Sequence, residues 1–458
     1  MNELWDVIII GAGMSGLGAG IRIAMSGKKV LILEQHNVIG GLNSFYLKDR
    51  IKYDVGLHAL TNFVPQGSKG HPLNKLCRQL RIPYEALQLE EQKLSAIVFP
   101  ETELTFTNDF NHFLEQIDKN FPEEIDHFKA LDKAILSFSE TELSGPKFIS
   151  ARKKLDSYLK NPLLKEMLLL PLFYYGSAHV NDLDWRQFAI LYKALYREGF
   201  ARPAGGVRTI LKLLRDRLRE SGGTLKVKAK VQSLKENDTT VEVNLVTGEV
   251  LRAKQVLSSA GYSETLRLLQ VKNNRSFPML SFAETITTFA ETPEKMGLDK
   301  TIVFFNTAPV VDYSPCQGLI DFRSGVLCVP ENYGNKGDSP TTTLRTTHLA
   351  GYNTWKQLAP EAYTSNKKAL LQQSRENALK LLKCPLRPAI LAEDMFTPLT
   401  IERYTGHING AIYGSPQKYR DGDIGCKRIF ICGTDQGFLG IVGAILSGIS
   451  MANYHCLS

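Results

Sequence analysis

An unbroken apolar run, Val7-Ile-Ile-Ile10, opens the chain. Gly11-Ala-Gly-Met-Ser-Gly16 follows, then a Pro-free stretch to Ser26 and a second apolar run, Val30-Leu-Ile-Leu33. Continuous rather than alternating hydrophobicity predicts two strands buried on both faces, with a helix over Met14–Ser26 between them. Three glycines stand where Ala would serve a helix better. Gly11 permits a tight turn, Gly13 lets the backbone approach a pyrophosphate, and Gly16 lets the helix pack on the strand. The N-terminus of that helix presents Met14 and Ser15 with free N–H groups and a positive dipole end. Glu34, beside Gln35, closes the second strand 18 residues past Gly16, close to the spacing of about 20 for an acid that binds ribose hydroxyls. The order strand, glycine turn, helix, strand, acid predicts a dinucleotide site.

Beyond residue 65 the period changes. Apolar residues at three- and four-residue spacing predict helices over His71–Leu80, Asp109–Asn120, Ile125–Leu143 and Asp156–Leu170. Arg202-Pro-Ala-Gly-Gly206 reads as a turn feeding an amphipathic helix, Val207–Ser221. Alternation then predicts strands at Thr224–Val231, Thr240–Leu245 and Val250–Leu257, the last running on into small residues at Ala260-Gly261. A second strand-rich block follows: Leu280–Ile286, Thr301–Phe305, Gly325–Val329 and Thr341–His348, with a helix over Tyr363–Lys383. The strand Arg428–Cys432 and a helix over Gly443–Asn453 close the chain. The expected organisation is a discontinuous nucleotide domain from 1–65, 200–262 and 420–458. The substrate domain comes from 66–199, with its helical insertion, and 263–419.

Composition narrows this only slightly. Lys and Arg exceed Asp and Glu, 55 against 47, and the pattern is that of a solvated surface or a weak attraction to anionic lipid. No Arg/Lys run is interleaved with aromatics, so nucleic acid is not an expected partner. Seven cysteines without a CxxC pair argue against a disulfide framework or a zinc site and point to a reducing, cytoplasmic compartment. No HExxH or His/Asp/Glu trio suggests a metal. Lys160–Tyr175 is the most apolar part of the helical block. It reads either as a buried core helix or as a patch that dips into the cytoplasmic membrane surface or forms the mouth of a lipid tunnel.

Six segments fall in the order of one FAD-binding fold: Gly11–Glu34, Gly40-Gly41, Tyr53-Asp-Val-Gly-Leu-His58, Pro203–Val207, Lys226–Val231 with Val231 beside an adenine, and Gly433–Gly448. With Thr397-Pro-Leu-Thr400 and Gly410-Ala-Ile-Tyr-Gly414, they make the chain resemble the FAD-dependent phytoene desaturase, carotenoid isomerase and retinol saturase superfamily, a branch of the amine-oxidase-like flavoproteins. The resemblance covers nearly the whole chain. It implies an α/β fold: a Rossmann-like FAD-binding domain of the glutathione-reductase type with an inserted α+β substrate domain. It also implies that Gly433 and Asp435 hold the pyrophosphate and ribityl chain. Gly440, Ile441, Val442 and Ala444 then begin a helix aimed at the flavin ring, where a helix N-terminus stabilises negative charge.

The expected activity is hydride transfer at flavin N5 to or from a polyene or other long apolar isoprenoid, by desaturation, saturation or cis–trans isomerisation. Quinone or oxygen is the expected electron acceptor, because no second glycine turn offers an NADPH site. A flavin amine oxidase and an FAD-less prenyl-lipid carrier are the alternatives. The intact glycine set counts against the carrier. His58 reads equally as a group beside the ring or substrate and as a hydrogen-bonded turn histidine. Arg403 and Tyr404 read as surface or core residues, with a place on the substrate cavity as the sharper alternative.

Overall fold

The computed structural model of the protein describes residues 4–138, 148–272, 279–334 and 339–457. In chain order the first elements are β1 (Leu4–Ile10), α1 (Met14–Ala24), β2 (Val30–Leu33), β3 (Phe45–Lys48), β4 (Ile51–Asp54), α2 (Pro72–Leu80) and β5 (Leu89–Glu91). Next come β6 (Ser95–Phe99), β7 (Thr102–Phe106), α3 (Phe110–Asn120), α4 (Ile125–Ser137), α5 (Ala151–Asp156), α6 (Pro162–Gly176) and α7 (Trp185–Tyr192). They are followed by β8 (Ala201–Pro203), α8 (Val207–Glu220), β9 (Thr224–Lys226), β10 (Val231–Glu236), β11 (Val241–Leu245), β12 (Val250–Ser258) and α9 (Tyr262–Leu268). The rest are β13 (Ser281–Phe289), β14 (Ile302–Asn306), β15 (Ile320–Cys328), β16 (Thr342–Ala350), α10 (Tyr352–Lys356), α11 (Pro360–Leu381), β17 (Ile390–Phe396), α12 (Pro398–Thr405), β18 (Ile429–Ile431) and α13 (Gly440–Met451).

Two seven-stranded sheets organise these elements. The first runs β10-β11-β12-β1-β2-β9, with β18 beside the C-terminal half of β12. Its centre is parallel: β1 pairs with β12 and β2, and β2 with β9. This is the doubly covered sheet that the two apolar runs predict. Val7, Ile9, Val30 and Ile32 enter one core with α1, α8 and α13; Ile8, Ile10, Leu31 and Leu33 enter the other with β10 and β11. Strand alternation thus splits one apolar run between two cores. The second sheet runs β17-β13-β16-β15-β14-β6-β7, antiparallel except where β14 meets β6.

The boundaries depart from the sequence expectation at four places. The β6–β7 hairpin lies inside a block read as helical, and pairs with β14, a partner about 200 residues away that no local period reveals. The helix expected over Asp156–Leu170 is α5 and α6 instead. Asn161 caps α6 through its side-chain oxygen, 3.0 and 3.2 Å from the Leu163 and Leu164 amides, and Pro162 takes the first turn. The strand expected over Thr224–Val231 breaks into β9 and β10 at Lys228, whose φ is +54°. The helix expected over Ile125–Leu143 runs as α4 to Ser137, and its last residues lie outside the described ones.

α6 is a core helix: Leu164, Met167, Leu168, Leu169, Leu170 and Phe173 are fully buried. Among the described residues no helix is long and apolar enough to cross a membrane.

α1 and α13 cross at a distance only glycine allows. A Cβ on Gly18 would lie 2.8 Å from the Ile445 carbonyl oxygen, and one on Gly448 would overlap the Ser15 carbonyl. Gly16 abuts the Gly11 carbonyl in the same way. Overpacking of this kind costs about 1–3 kcal/mol. Gly448→Val is therefore expected to lower unfolding free energy by at least that amount in a denaturant titration. An unchanged midpoint would contradict the close crossing.

Candidate functional site

The glycine turn is built as its sequence demands. Gly11 has φ +92°, and its amide donates to the Leu33 carbonyl at 2.8 Å. Gly40 pairs with Gly13 in a parallel bridge, and the Gly40 amide donates to the Ala12 carbonyl at 2.9 Å. Gly40 and Gly41 have φ +114° and +58°, which a side chain would strain. Glu34 is buried at the end of β2. One carboxylate oxygen accepts from the Ala12 amide and the other from the His36 amide, both at 2.9 Å. Each oxygen keeps a further lone pair for a hydroxyl donor. No side chain caps α1, so its first amides remain available.

α13 ends in the same place. Leu439 precedes it without a side-chain cap, and Gly440 starts it with φ +69°. The glycine crossing packs Ser15, in the first turn of α1, against Gly448 in the last turn of α13, so the two uncapped N-termini are offset along the crossing. Both open on one cavity of about 650 Å³. Gly11, Gly13, Met14, Ser15, Glu34, Gln35, Gly40, Gly41, Val231 and Ala260 line it at one end; Gly440, Ile441 and Ala444 line it from α13. A Cβ on Gly13 would meet nothing within 4 Å, so the bare backbone there faces open space. A cavity of this volume, lined by uncapped helix amides and by the Glu34 carboxylate, fits a dinucleotide such as FAD.

The same cavity continues into an aromatic and aliphatic region: Tyr174 and Tyr175 from α6, Phe282 from β13, Val326 from β15, and Ile412, Tyr413 and Phe438. Tyr174 stacks on Phe282 with ring centroids 5.4 Å apart, and Tyr413 meets Phe282 edge-on at 5.9 Å. Burial pushes the Tyr174 and Tyr413 phenols well above the ordinary value, so both stay neutral.

Into this wall the fold sets one charged cluster. Glu284 on β13 lies directly opposite Thr347 on β16, and Arg345 sits two residues before Thr347 on the same strand. The Arg345 guanidinium holds the Glu284 carboxylate through Nε at 2.7 Å and through a second nitrogen, and donates to the Leu57 carbonyl at 2.7 Å. His58 Nε2 is 3.7 Å from Glu284 Oε2 and 3.3 Å from Thr347 Oγ1. The Tyr333 hydroxyl donates to the His58 carbonyl at 3.0 Å. Burial alone would raise the Glu284 carboxyl, but Arg345 and His58 bring it down to about 2. Burial pushes His58 below the ordinary imidazole value, against the pull of Glu284. The cluster thus holds an ionised carboxylate and a neutral imidazole near pH 7.

The remaining expected site residues divide: His58 and Tyr404 line the cavity, whereas Gly16, Gly433, Asp435, Val442 and Arg403 do not. Gly16 packs α1 against the glycine turn rather than lining the cavity. Gly433, with φ +93°, lies against Ser15, and its neighbour Thr434 lines the cavity. Val442 belongs to the core under α13. Asp435 is off the cavity wall: its carboxylate accepts from the Tyr262 amide at 2.7 Å and the Ser415 amide at 2.8 Å, tying three loops together. Tyr404 lines the cavity although half-exposed, whereas Arg403 is exposed outside it, 5.6 Å over the Tyr404 ring. His58 lines the cavity. Glu284, Arg345 and Thr347 were not anticipated. Their signal was a charge inside strands otherwise filled with apolar and β-branched residues.

A family profile described as flavin containing amine oxidoreductase matches residues 14–454. Prolycopene isomerase 2, chloroplastic, of an Oncidium hybrid cultivar is 22% identical, over 98% of this chain and 84% of that protein. All-trans-retinol 13,14-reductase of Danio rerio is 22% identical, over 97% and 85%. Among solved structures, cyclohexylamine oxidase from Brevibacterium oxydans superposes with a TM-score of 0.64 at 15% identity, over 99% of each chain, a likeness of fold.

The buried pair has a pH signature. The folded-state carboxyl of Glu284 titrates below its ordinary value, so its stabilisation is full above about 4.5 and is lost as pH falls toward about 2. The unfolding midpoint is expected to drop across that window. Arg345→Met should flatten its share of the drop and cost about 3–5 kcal/mol at neutral pH, the usual loss on orphaning a buried charge. Equal slopes in both proteins would contradict the pairing.

Proposed function

The chain belongs to the flavin-containing amine oxidoreductase family and is an FAD-dependent oxidoreductase; on that premise we propose that it acts on a polyene or another long apolar isoprenoid. The observation that carries this reading is the continuity of the cavity from the dinucleotide end into a region walled by Tyr174, Tyr175, Phe282, Val326, Ile412 and Tyr413. Such a wall binds by burying apolar surface and orients flat, conjugated chains between aromatic faces. Two relatives named for polyene chemistry support the same substrate class. The net reaction is desaturation, saturation or cis–trans isomerisation, with quinone or oxygen as the acceptor where electrons leave. We place the work at the cytoplasmic membrane surface, where such a substrate resides.

In this reading Glu34 and Gln35 take the ribose, Val231 and Ala260 the adenine end, and Gly11, Gly13, Met14, Ser15, Gly40 and Gly41 the pyrophosphate. Gly440, Ile441 and Ala444 present the α13 amides to the ring system, while Gly16, Gly433, Val442 and Asp435 hold these segments in place. When bound, FAD supplies a hydride acceptor or donor. The chain's own residues exclude water from the aromatic end, hold the substrate against the polar seam at His58, and keep the Tyr174 and Tyr413 hydroxyls engaged with protein partners.

An amine oxidase reading is favoured by the family profile's description and by the Glu284 carboxylate on the cavity wall. That carboxylate is already neutralised by Arg345, which leaves little charge for an ammonium group.

Anaerobic mixing with a polyene panel and an amine panel separates the two. Bleaching or reoxidation of bound flavin by polyenes alone is the expected result; bleaching by amines, with peroxide on readmitting air, would overturn the proposal. Gly13→Val supplies the cofactor arm. Its side chain has room, so the protein should fold with an unchanged midpoint but lose flavin absorbance at least tenfold, because the new methyl groups occupy the open space. A yellow, fully active Gly13→Val protein would contradict the assignment.

A further inference from the structure

Beside the aromatic region, the cavity meets one ionisable side chain whose surroundings restrict it to a single hydrogen-bonding face. His58 Nε2 faces Glu284 at 3.7 Å and Thr347 at 3.3 Å, while among the described residues Nδ1 is neither bonded to protein nor among the buried polar atoms left without a partner. The His58 side chain is 11% exposed, on a residue that lines the cavity, so Nδ1 looks onto the space a substrate would fill. The backbone on either side is pinned. The Leu57 carbonyl accepts from Arg345 and from Arg202, and the His58 carbonyl accepts from Tyr333 at 3.0 Å and from the Cys328 thiol at 3.7 Å. A buried arginine–glutamate pair is costly to maintain. Here it turns a carboxylate toward an imidazole whose opposite edge faces the cavity.

We propose that Glu284 and Arg345 are positioning residues that fix His58 as the cavity's proton carrier, with Nε2–H held toward the carboxylate and the Nδ1 lone pair presented to the substrate. This rests on the oxidoreductase reading and names a residue set for its acid–base half. The balance is one proton and one hydride. In a desaturation, one substrate C–H bond breaks with its proton passing to Nδ1, and that electron pair forms the new carbon–carbon double bond. The neighbouring carbon gives up a hydride, for which the bound FAD is the acceptor. The proton on the imidazolium, stabilised by Glu284, then leaves to water. A saturation runs the same balance backwards, with His58 donating. Arg345 keeps Glu284 ionised so that the carboxylate accepts from the imidazole instead of donating to it.

The groups facing His58 are Glu284 from β13, Arg345 and Thr347 from β16, Cys328 from β15, Tyr333, and Arg202 from β8. Glu284 favours the imidazolium; Arg345 and Arg202 oppose it, as does burial. Removing Glu284 therefore moves the His58 titration to lower pH, while removing Arg345 moves it up.

The test is a histidine-selective nitrogen-15 NMR titration of the FAD-loaded protein without substrate, with His58→Gln assigning the resonance. The expected result is the Nε2–H tautomer in the parent protein and a lower titration midpoint in Glu284→Gln. An Nδ1–H tautomer in the parent protein overturns the proposal whether or not any variant folds. So does an unchanged midpoint in folded Glu284→Gln, with Glu284→Asp, expected to fall between parent and Gln, as the check on a fold defect. His58→Gln should retain its flavin and lose about 100-fold or more in kcat, the usual scale for a general acid or base; kcat within twofold of the parent would also overturn it. Flavin content and the polyene-against-amine panel are read separately, so a wrong substrate class leaves the tautomer result standing, and a wrong tautomer leaves the substrate class standing.

Discussion

The contact between α1 and α13 is the constraint on which the rest depends. Two helices whose residues are more than 400 positions apart in sequence approach until backbone meets backbone, because Gly18 and Gly448 leave nothing between them. The consequence is electrostatic as much as steric. Helix N-termini carry unpaired amides and partial positive charge, and two of them opening uncapped on one cavity favour a bound anion there. The loop at Gly40-Gly41 then closes against the Gly11–Gly13 turn, and the carboxylate of Glu34 braces that turn through the Ala12 amide. The Gly18–Gly448 crossing is buried, whereas Gly13, Gly40, Gly41 and Glu34 lie on the cavity wall.

A second constraint lies where the two sheets' territories meet. The turn after β4 carries His58 against β13, β15 and β16 of the other sheet, and the pieces are joined by polar groups rather than by hydrophobic packing alone. Ionic groups at such a seam contribute little net stability after desolvation, but they penalise every arrangement that leaves one of them unpaired. Asp54 acts alike at the other end of the motif. It gathers Arg202, Arg208 and the Val207 amide, and thereby fixes the turn that carries His58 to the start of α8. In the aromatic region Phe282, Tyr174 and Tyr413 pack ring against ring, and the two hydroxyls are fixed by Ser324 and by the Tyr174 carbonyl.

What the sequence disclosed follows from range. The first sheet's parallel centre, the glycine turn, Glu34 and the helix after Gly440 are written in contiguous stretches whose period and glycine spacing admit few structures, so they were legible. Met14, Ser15, Gln35, Val231, Ala260 and His58 do reach one cavity, because neighbouring motif positions carry them there. Asp435 lay at a motif position but spends its carboxylate on backbone amides. Arg403 sits on the outer face of α12, and adjacency to Tyr404 could not reveal that. Glu284 and Arg345 showed only as charges inside strands, and could not be joined to a site because their partner His58 is more than 200 residues away and only the β13–β16 register sets the two together. The β6–β7 hairpin was missed on the same ground, its pairing partner being β14.

The account holds that one FAD molecule is gripped at the same time by the N-termini of α1 and α13. Backbone amide hydrogen exchange of the apo protein, with and without added FAD, tests this directly. The account predicts simultaneous slowing at Gly13–Gly16, Gly40-Gly41 and Gly440–Val442, saturating at one equivalent of FAD. Protection confined to one of the helix ends, or absent from both while FAD is bound, would contradict it.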